Sequence, residues 1–200
     1  MRLVKDLKQE NLHVLDYEDR GMNIYTISSS FSLGNGVIDF SDPKSRLSSF
    51  FIWNEGNGKF LLYSQPKGKI QSTMRRDKLR APDYFPSNIG VPVFSQKAVS
   101  IFELRIASEM SFYKCTVENT HETMFLCKVN NYLPIIDEEK TTFRELIDGT
   151  KLIDIPTYKC DKDFFIARDS VFCEQMILSQ QFVDLCNDEG LNIEFFNVNE

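Results

Sequence analysis

Two histidines, five cysteines and one run of three carboxylates are the side chains of this sequence whose types suit catalysis or metal binding near neutral pH. His13 and His121 each lack a Cys, Asp or Glu at zinc-site spacing, so neither a metal nor a catalytic centre built on one is expected. Cys115 or Cys127 could form a dyad with His121 only through tertiary proximity, which a sequence leaves open. The odd total of cysteines (115, 127, 160, 173 and 186), with no Cys-x-x-Cys pair and mostly apolar surroundings, reads as reduced, buried thiols. Asp137, Glu138 and Glu139 are contiguous, so they point to different sides of a turn. That arrangement suits a charged surface better than a pair of acid–base groups. Gly34-Asn35-Gly36 and Gly56-Asn57-Gly58 lack the following Gly and helix of a dinucleotide site and the Gly-Lys-Ser/Thr of a phosphate loop, and read as turns. No cofactor is expected.

Charge is unevenly distributed behind a net −6. Residues 1–80 hold 13 Lys/Arg and 9 Asp/Glu (+4), whereas residues 81–200 hold 10 and 20 (−10). An acidic C-terminal part repels nucleic acid and steers basic proteins toward it. Arg75, Arg76, Lys78 and Arg80, interrupted by Asp77 and followed by Pro82, read as a solvated linker. The 17 phenylalanines, often doubled and with few interleaved Arg or Lys, read mainly as core and not as a base-stacking platform. No apolar run is long enough to span a bilayer, and residues 1–10 lack the apolar centre of a secretion signal, so the expected location is the cytoplasm.

The elements that would position these groups follow from periodicity. Residues 22–40 read as a hairpin through Gly34-Asn35-Gly36, and 49–63 as a second hairpin through Gly56-Asn57-Gly58. The first third is therefore expected to be mainly β. Residues 65–90, rich in Pro and Gly, read as a surface connection and as the boundary between a β-rich subdomain (1–80) and an α+β domain (81–200), the two forming one compact unit. Strands are expected over 123–129 and 133–136, a turn over 137–140, strand or helical turn over 143–147, and a hairpin pairing 164–167 with 171–173.

Within the second part a segment occurs twice. Val93-Phe94-Ser95-Gln96 and Ile177-Leu178-Ser179-Gln180 each precede an amphipathic stretch and a returning apolar run, with offsets of 84 (179 − 95) and then 83 (195 − 112). Each copy reads as strand, Ser-capped helix and strand, with Phe102 and Phe182 buried and Gly190 ending the second helix. The expected fold class is thus α+β: a β-rich N-terminal part followed by two similar strand-helix-strand units packed on antiparallel sheet.

Ala81-Pro82-Asp83, Pro92-Val93-Phe94-Ser95, Ile135-Ile136-Asp137-Glu138, Phe164-Phe165-Ile166, Ser179-Gln180-Gln181-Phe182, Gly190-Leu191 and Phe195 carry a resemblance. Over residues 81–198 the chain resembles the bacterial immunity family numbered eleven among polymorphic-toxin immunity proteins, with Asn192-Ile193 as a short insertion. The resemblance implies an antitoxin that binds and neutralises a cognate toxin domain, and no reaction of its own. Asp137, Glu138 and Glu139 are the expected contribution to toxin contact. The alternatives are an enzyme with a spatially assembled Cys-His or carboxylate site, and a small-ligand sensor.

Overall fold

The computed structural model describes residues 23–27, 36–71, 82–118 and 123–198. In chain order β1 (Ile24–Ile27) and β2 (Val37–Phe40) precede two short helices, α1 (Arg46–Phe51) and α2 (Phe60–Tyr63), then β3 (Lys67–Gln71) and β4 (Tyr84–Phe85). The first repeat is β5 (Val93–Ser95), α3 (Gln96–Arg105) and β6 (Met110–Glu118). Next come β7 (Met124–Val129), β8 (Tyr132–Leu133), β9 (Thr142–Glu145), β10 (Lys151–Ile155) and β11 (Ile166–Asp169). The second repeat, β12 (Met176–Ser179), α4 (Gln180–Asp188) and β13 (Phe195–Asn197), completes an α+β fold with mostly antiparallel sheets.

Both Ser-Gln pairs begin a helix by the same device. The Ser95 and Ser179 hydroxyls accept the N–H of Ala98 at 3.2 Å and of Phe182 at 3.3 Å, so one orphan donor of each first turn is satisfied. Gly190, at φ 60°, ends α4: its N–H bonds to Asn187 and that of Leu191 to Cys186, closing the helix with a paired six-to-one and five-to-two pattern. The two units also share a topology. β7 lies between β5 and β6, antiparallel to both, and β1 lies between β12 and β13 in the same way. The outer neighbours match as well, with β4 antiparallel to β5 and β11 antiparallel to β12. The middle strand follows its unit in the first copy and comes from the N-terminal part of the chain in the second.

Two carboxyl groups lock the units together reciprocally. Asp83, just before β4, accepts the Ser95 hydroxyl at 2.5 Å and the N–H of Asn192, just beyond α4, at 2.8 Å. Glu109, just beyond α3, accepts the N–H groups of Phe165 and Ile166 at the start of β11, each at 2.9 Å. Glu109 and Asn192 stand 83 residues apart (192 − 109), the offset of the repeat itself. Between these ties the Phe102 and Phe182 rings meet at 5.1 Å, both fully buried in a core drawn from both units.

The six-stranded sheet, ordered β2-β3-β6-β7-β5-β4, closes back on itself. The Ile38 N–H bonds to Pro86 and the Asn88 N–H to Ile38, while the Asn88 side chain bonds to both backbone groups of Phe40. Its interior holds Ile38, Phe40, Phe51, Val93 and Leu126, and Gly68 faces this interior so closely that a β-carbon there would lie 2.5 Å from Ile38. A third cluster, including Ile24, Ile135 and Ile177, covers the far face of the five-stranded sheet β13-β1-β12-β11-β8. Each of these two large sheets thus draws strands from both sides of residue 80.

The N-terminal third departs from its sequence reading. β1 and β2 do not form a hairpin: they belong to different sheets, because β1 finds partners on both edges in β12 and β13. Gly34 and Asn35 of the expected turn lie outside the described residues. The second expected hairpin is a helix pair, since Leu47, Phe50 and Phe51 are buried at helical spacing and Asp42 accepts the N–H groups of Leu47 and Ser48. Residues 65–90 contain two strands, β3 and β4. In the 164–173 hairpin the partner strand is β12, and Val171–Cys173 belong to the connection.

Phe102→Ala and Phe182→Ala are each expected to cost about 3–5 kcal/mol, as buried phenylalanine truncations do. Denaturant midpoints of the two single variants and the double variant test this. A coupling of about 0.5–1.5 kcal/mol is expected for rings in contact, and strict additivity would show that the units are packed independently.

Candidate functional site

β9 and β10 form a two-stranded ribbon joined to neither large sheet. Their pairing sets Glu145 opposite Lys151, Arg144 opposite Leu152 and Phe143 opposite Ile153, with an irregularity between Ile153 and Ile155. The tip is a three-residue loop, Ile147-Asp148-Gly149. The Leu146 N–H bonds across it to Thr150 at 2.8 Å, and Gly149 takes φ 82°. An isolated hairpin is marginal in water, so what holds this one lies at its root.

The root is built from the residues expected to touch a partner. The Asp137 N–H bonds to the Thr157 carbonyl at 2.8 Å, and Thr141 and Thr157 exchange hydroxyl and backbone bonds at 3.2 and 3.0 Å. The Asp137 carboxylate accepts from the Lys159 ammonium at 3.2 Å and the Glu139 N–H at 3.3 Å, with Lys140 4.0 Å away. Partial burial works against its ionisation, but the Lys159 and Glu139 bonds and the two ammonium charges outweigh that and hold its carboxyl below the ordinary range. Asp137 therefore faces inward and is buried, while Glu138 and Glu139 are exposed on the turn. One step further in, the buried Asp169 carboxylate accepts four backbone N–H groups, those of Ile135, Ile136, Val171 and Phe172. Phe143 rests on Phe172 at 5.5 Å, tying the ribbon to that same connection.

Beyond this root the arm carries large apolar side chains into solvent: Ile147 is fully exposed, Ile155 is 64% exposed, and Leu146 and Leu152 about 40%. Glu145, Asp148 and Asp154 lie along the arm and Glu138 and Glu139 on the turn that precedes it, all exposed, against Arg144 and Lys151. The arm thus combines strand edges that no other described strand pairs with, apolar side chains and carboxylates. These are the components of a protein-binding element, with backbone groups to add to a strand and side chains to fill pockets. The sequence reading reached the acidic turn and missed the arm. Asp148-Gly149 between two alternating runs is a strong short-range hairpin signal that could have found it.

The other chemically capable groups are placed differently. Burial pushes the Cys115 thiol up to about 12 and those of Cys127 and Cys186 higher still, so these three are neutral thiols at pH 7; Cys160 and Cys173 are half-buried. His13 and His121 lie outside the described residues, and with them the Cys-His dyad. Among the described residues no three or more His, Cys, Asp or Glu are grouped to hold a metal ion. Arg168 is buried, its guanidinium donating to the carbonyls of Cys173 at 2.8 Å and Gly90 at 3.2 Å, and among the described residues its Nε has no partner. Closed off from solvent, it joins the connection after β11 to the loop after β4, and so one sheet to the other. Among the described residues no helix is long and apolar enough to cross a membrane.

No family model matches the chain, and no curated protein matches it.

Asp137 makes the root pH-sensitive in a defined direction. Because its folded pKa is depressed, the stabilisation is fully present above the ordinary carboxylate range and is lost as pH falls through the lowered value. At neutral pH Asp137→Ala is expected to speed tryptic cleavage at Arg144 and Lys151 while leaving the global melting transition in place. Cleavage of the variant at the wild-type rate would mean that the root is held without this carboxylate.

Proposed function

We propose that the protein is an immunity protein, an antitoxin that binds and neutralises a cognate bacterial toxin domain in the cytoplasm through the β9–β10 arm. The observation that carries this reading is the arm itself, a ribbon with open edges and exposed Leu146, Ile147, Leu152 and Ile155. A monomeric surface rarely displays such a group without a partner for it. The −10 balance of residues 81–200 supports a basic partner, and Glu138 and Glu139 beside the arm are placed to steer one. The resemblance to an immunity family supports the class of partner.

Neutralisation on this reading is occlusion. The arm adds its edge to the toxin, the apolar tip fills a pocket, and the carboxylates orient the approach. Asp137 has a different part from the one first expected: it holds the arm in place, and the direct contacts fall to Glu138, Glu139 and the arm.

The test is to look in the neighbouring reading frames for a secreted protein with a toxin-like C-terminal module and to measure association and dissociation rates with that module at two salt concentrations. Leu146→Ser with Ile147→Ser should speed dissociation by about tenfold or more, as loss of a buried apolar anchor does. Glu138→Lys with Glu139→Lys should chiefly slow association, and more so at low salt. Rates equal to wild type for both variants would remove the arm from the interface. Turnover of a substrate by the purified protein alone would end the antitoxin reading.

A further inference from the structure

A second surface of opposite character lies on the α1–α2 side of the closed sheet. A groove of about 560 Å³ runs between the turn before α1 and the start of β3, with Lys44, Arg46 and Lys67 on its walls beside Leu47, Phe60 and Pro66. A second depression of about 380 Å³ shares Lys44, Arg46 and Phe60 with it, so the two form one furrow. Among the described residues none of the three cations is in an ion pair. The furrow has two carboxylates: Asp42 in the larger groove, its Oδ2 accepting the N–H groups of Leu47 and Ser48 and the Ser48 hydroxyl at 3.0–3.3 Å, and Glu55 in the smaller depression. Leu62 and Tyr63, between the lining residues Phe60 and Ser64, are 79% and 87% exposed.

The walls are held firmly. The Lys128 ammonium bonds the Asn54 side chain at 2.6 Å and sits 4.1 Å over the Phe50 ring, fixing the loop between α1 and α2. In that loop Gly58 approaches Phe50 so closely that a β-carbon would lie 2.6 Å from the ring.

We propose that this furrow is a second docking site, which takes an acidic segment of a partner protein bearing apolar side chains, its carboxylates on Lys44, Arg46 and Lys67 and its apolar residues against Phe60, Leu62 and Tyr63. Charge complementarity selects the occupant. Lys44, Arg46 and Lys67 against Asp42 and Glu55 leave the furrow with a positive balance in a chain of net −6, which favours carboxylates, while a second copy of the chain is repelled as a whole. The exposed Leu62 and Tyr63 add what a simple polyanion would not use. The site is separate from the arm, and its test does not depend on the toxin reading.

The probe is a fluorescent twelve-residue peptide of alternating Glu with Leu or Phe, titrated by anisotropy with the full chain. Polyglutamate of equal length and a single-stranded oligonucleotide serve as controls. Wild type should bind the mixed peptide, and Lys44→Ala/Arg46→Ala/Lys67→Ala should weaken it by about tenfold or more, as loss of several complementary charges does. Leu62→Ser/Tyr63→Ser should weaken the mixed peptide and leave polyglutamate unchanged. All five side chains are exposed, so unaltered melting transitions are expected. The proposal is overturned if wild type does not bind the mixed peptide, or if both variants bind it as wild type does. It is equally overturned if the oligonucleotide binds as well and Leu62/Tyr63 make no difference, or if wild type self-associates through these cations in sedimentation.

Discussion

Buried backbone N–H groups that neither helix nor strand pairing can reach must find another acceptor, and in this protein acidic side chains supply it. Asp42 takes the first turn of α1, Asp83 the chain after α4, Glu109 the start of β11, and Asp169 four N–H groups at once. An unsatisfied buried donor costs about 1–3 kcal/mol, so each carboxylate sets where two segments of chain can lie. The reciprocal ties of Asp83 and Glu109 go further, because each joins one repeat to the other at the point where a helix hands over to a strand. The Phe102–Phe182 contact sits between them and depends on their spacing.

The rest of the architecture follows from burial on both faces of the sheets. In β5, Val93 belongs to the interior of the closed sheet and Phe94 to the core shared by the repeats; in β12, Ile177 and Leu178 divide in the same way between the far face and the shared core. Strands clad on both sides need continuous apolar runs, as Val93-Phe94 in β5 and Ile177-Leu178 in β12 supply. The β9–β10 arm is the exception. Among the described residues it pairs with no strand beyond its own hairpin and touches the rest of the fold through Phe143 on Phe172, next to the segment that Asp169 and Asp137 hold down.

Acidic residues therefore have two separate uses here, which changes the meaning of the charge balance. Asp83, Glu109, Asp137 and Asp169 are engaged with the chain itself, whereas Glu138, Glu139, Glu145, Asp148 and Asp154 are exposed to solvent. Several residues carrying the resemblance to an immunity family, Asp83, Ser95, Asp137 and Gly190, do framework work: they tie, cap or end elements. They bear on a shared fold more than on a shared partner. On the proposed reading the contact surface is the arm, outside those motifs.

The features that the sequence determined by itself are those closed within a few residues. The Ser95 and Ser179 caps, the left-handed Gly190, the buried faces of α3 and α4 and the turn at 137–140 all rest on bonds or periodicities inside one helical turn or one loop. Only the tertiary structure decided what depends on distant partners. β1 has the pattern of an ordinary hairpin strand, yet both of its edges are taken by strands about 150 or more residues away, an outcome no local pattern encodes. The chain at 46–63 carries apolar residues compatible with strand or helix, and burial of Leu47, Phe50 and Phe51 together on the closed sheet selected the helix. Asp137 looked like its two neighbours in sequence, and Lys159, brought to 3.2 Å by the return of the chain after the arm, turned it inward and left Glu138 and Glu139 outside.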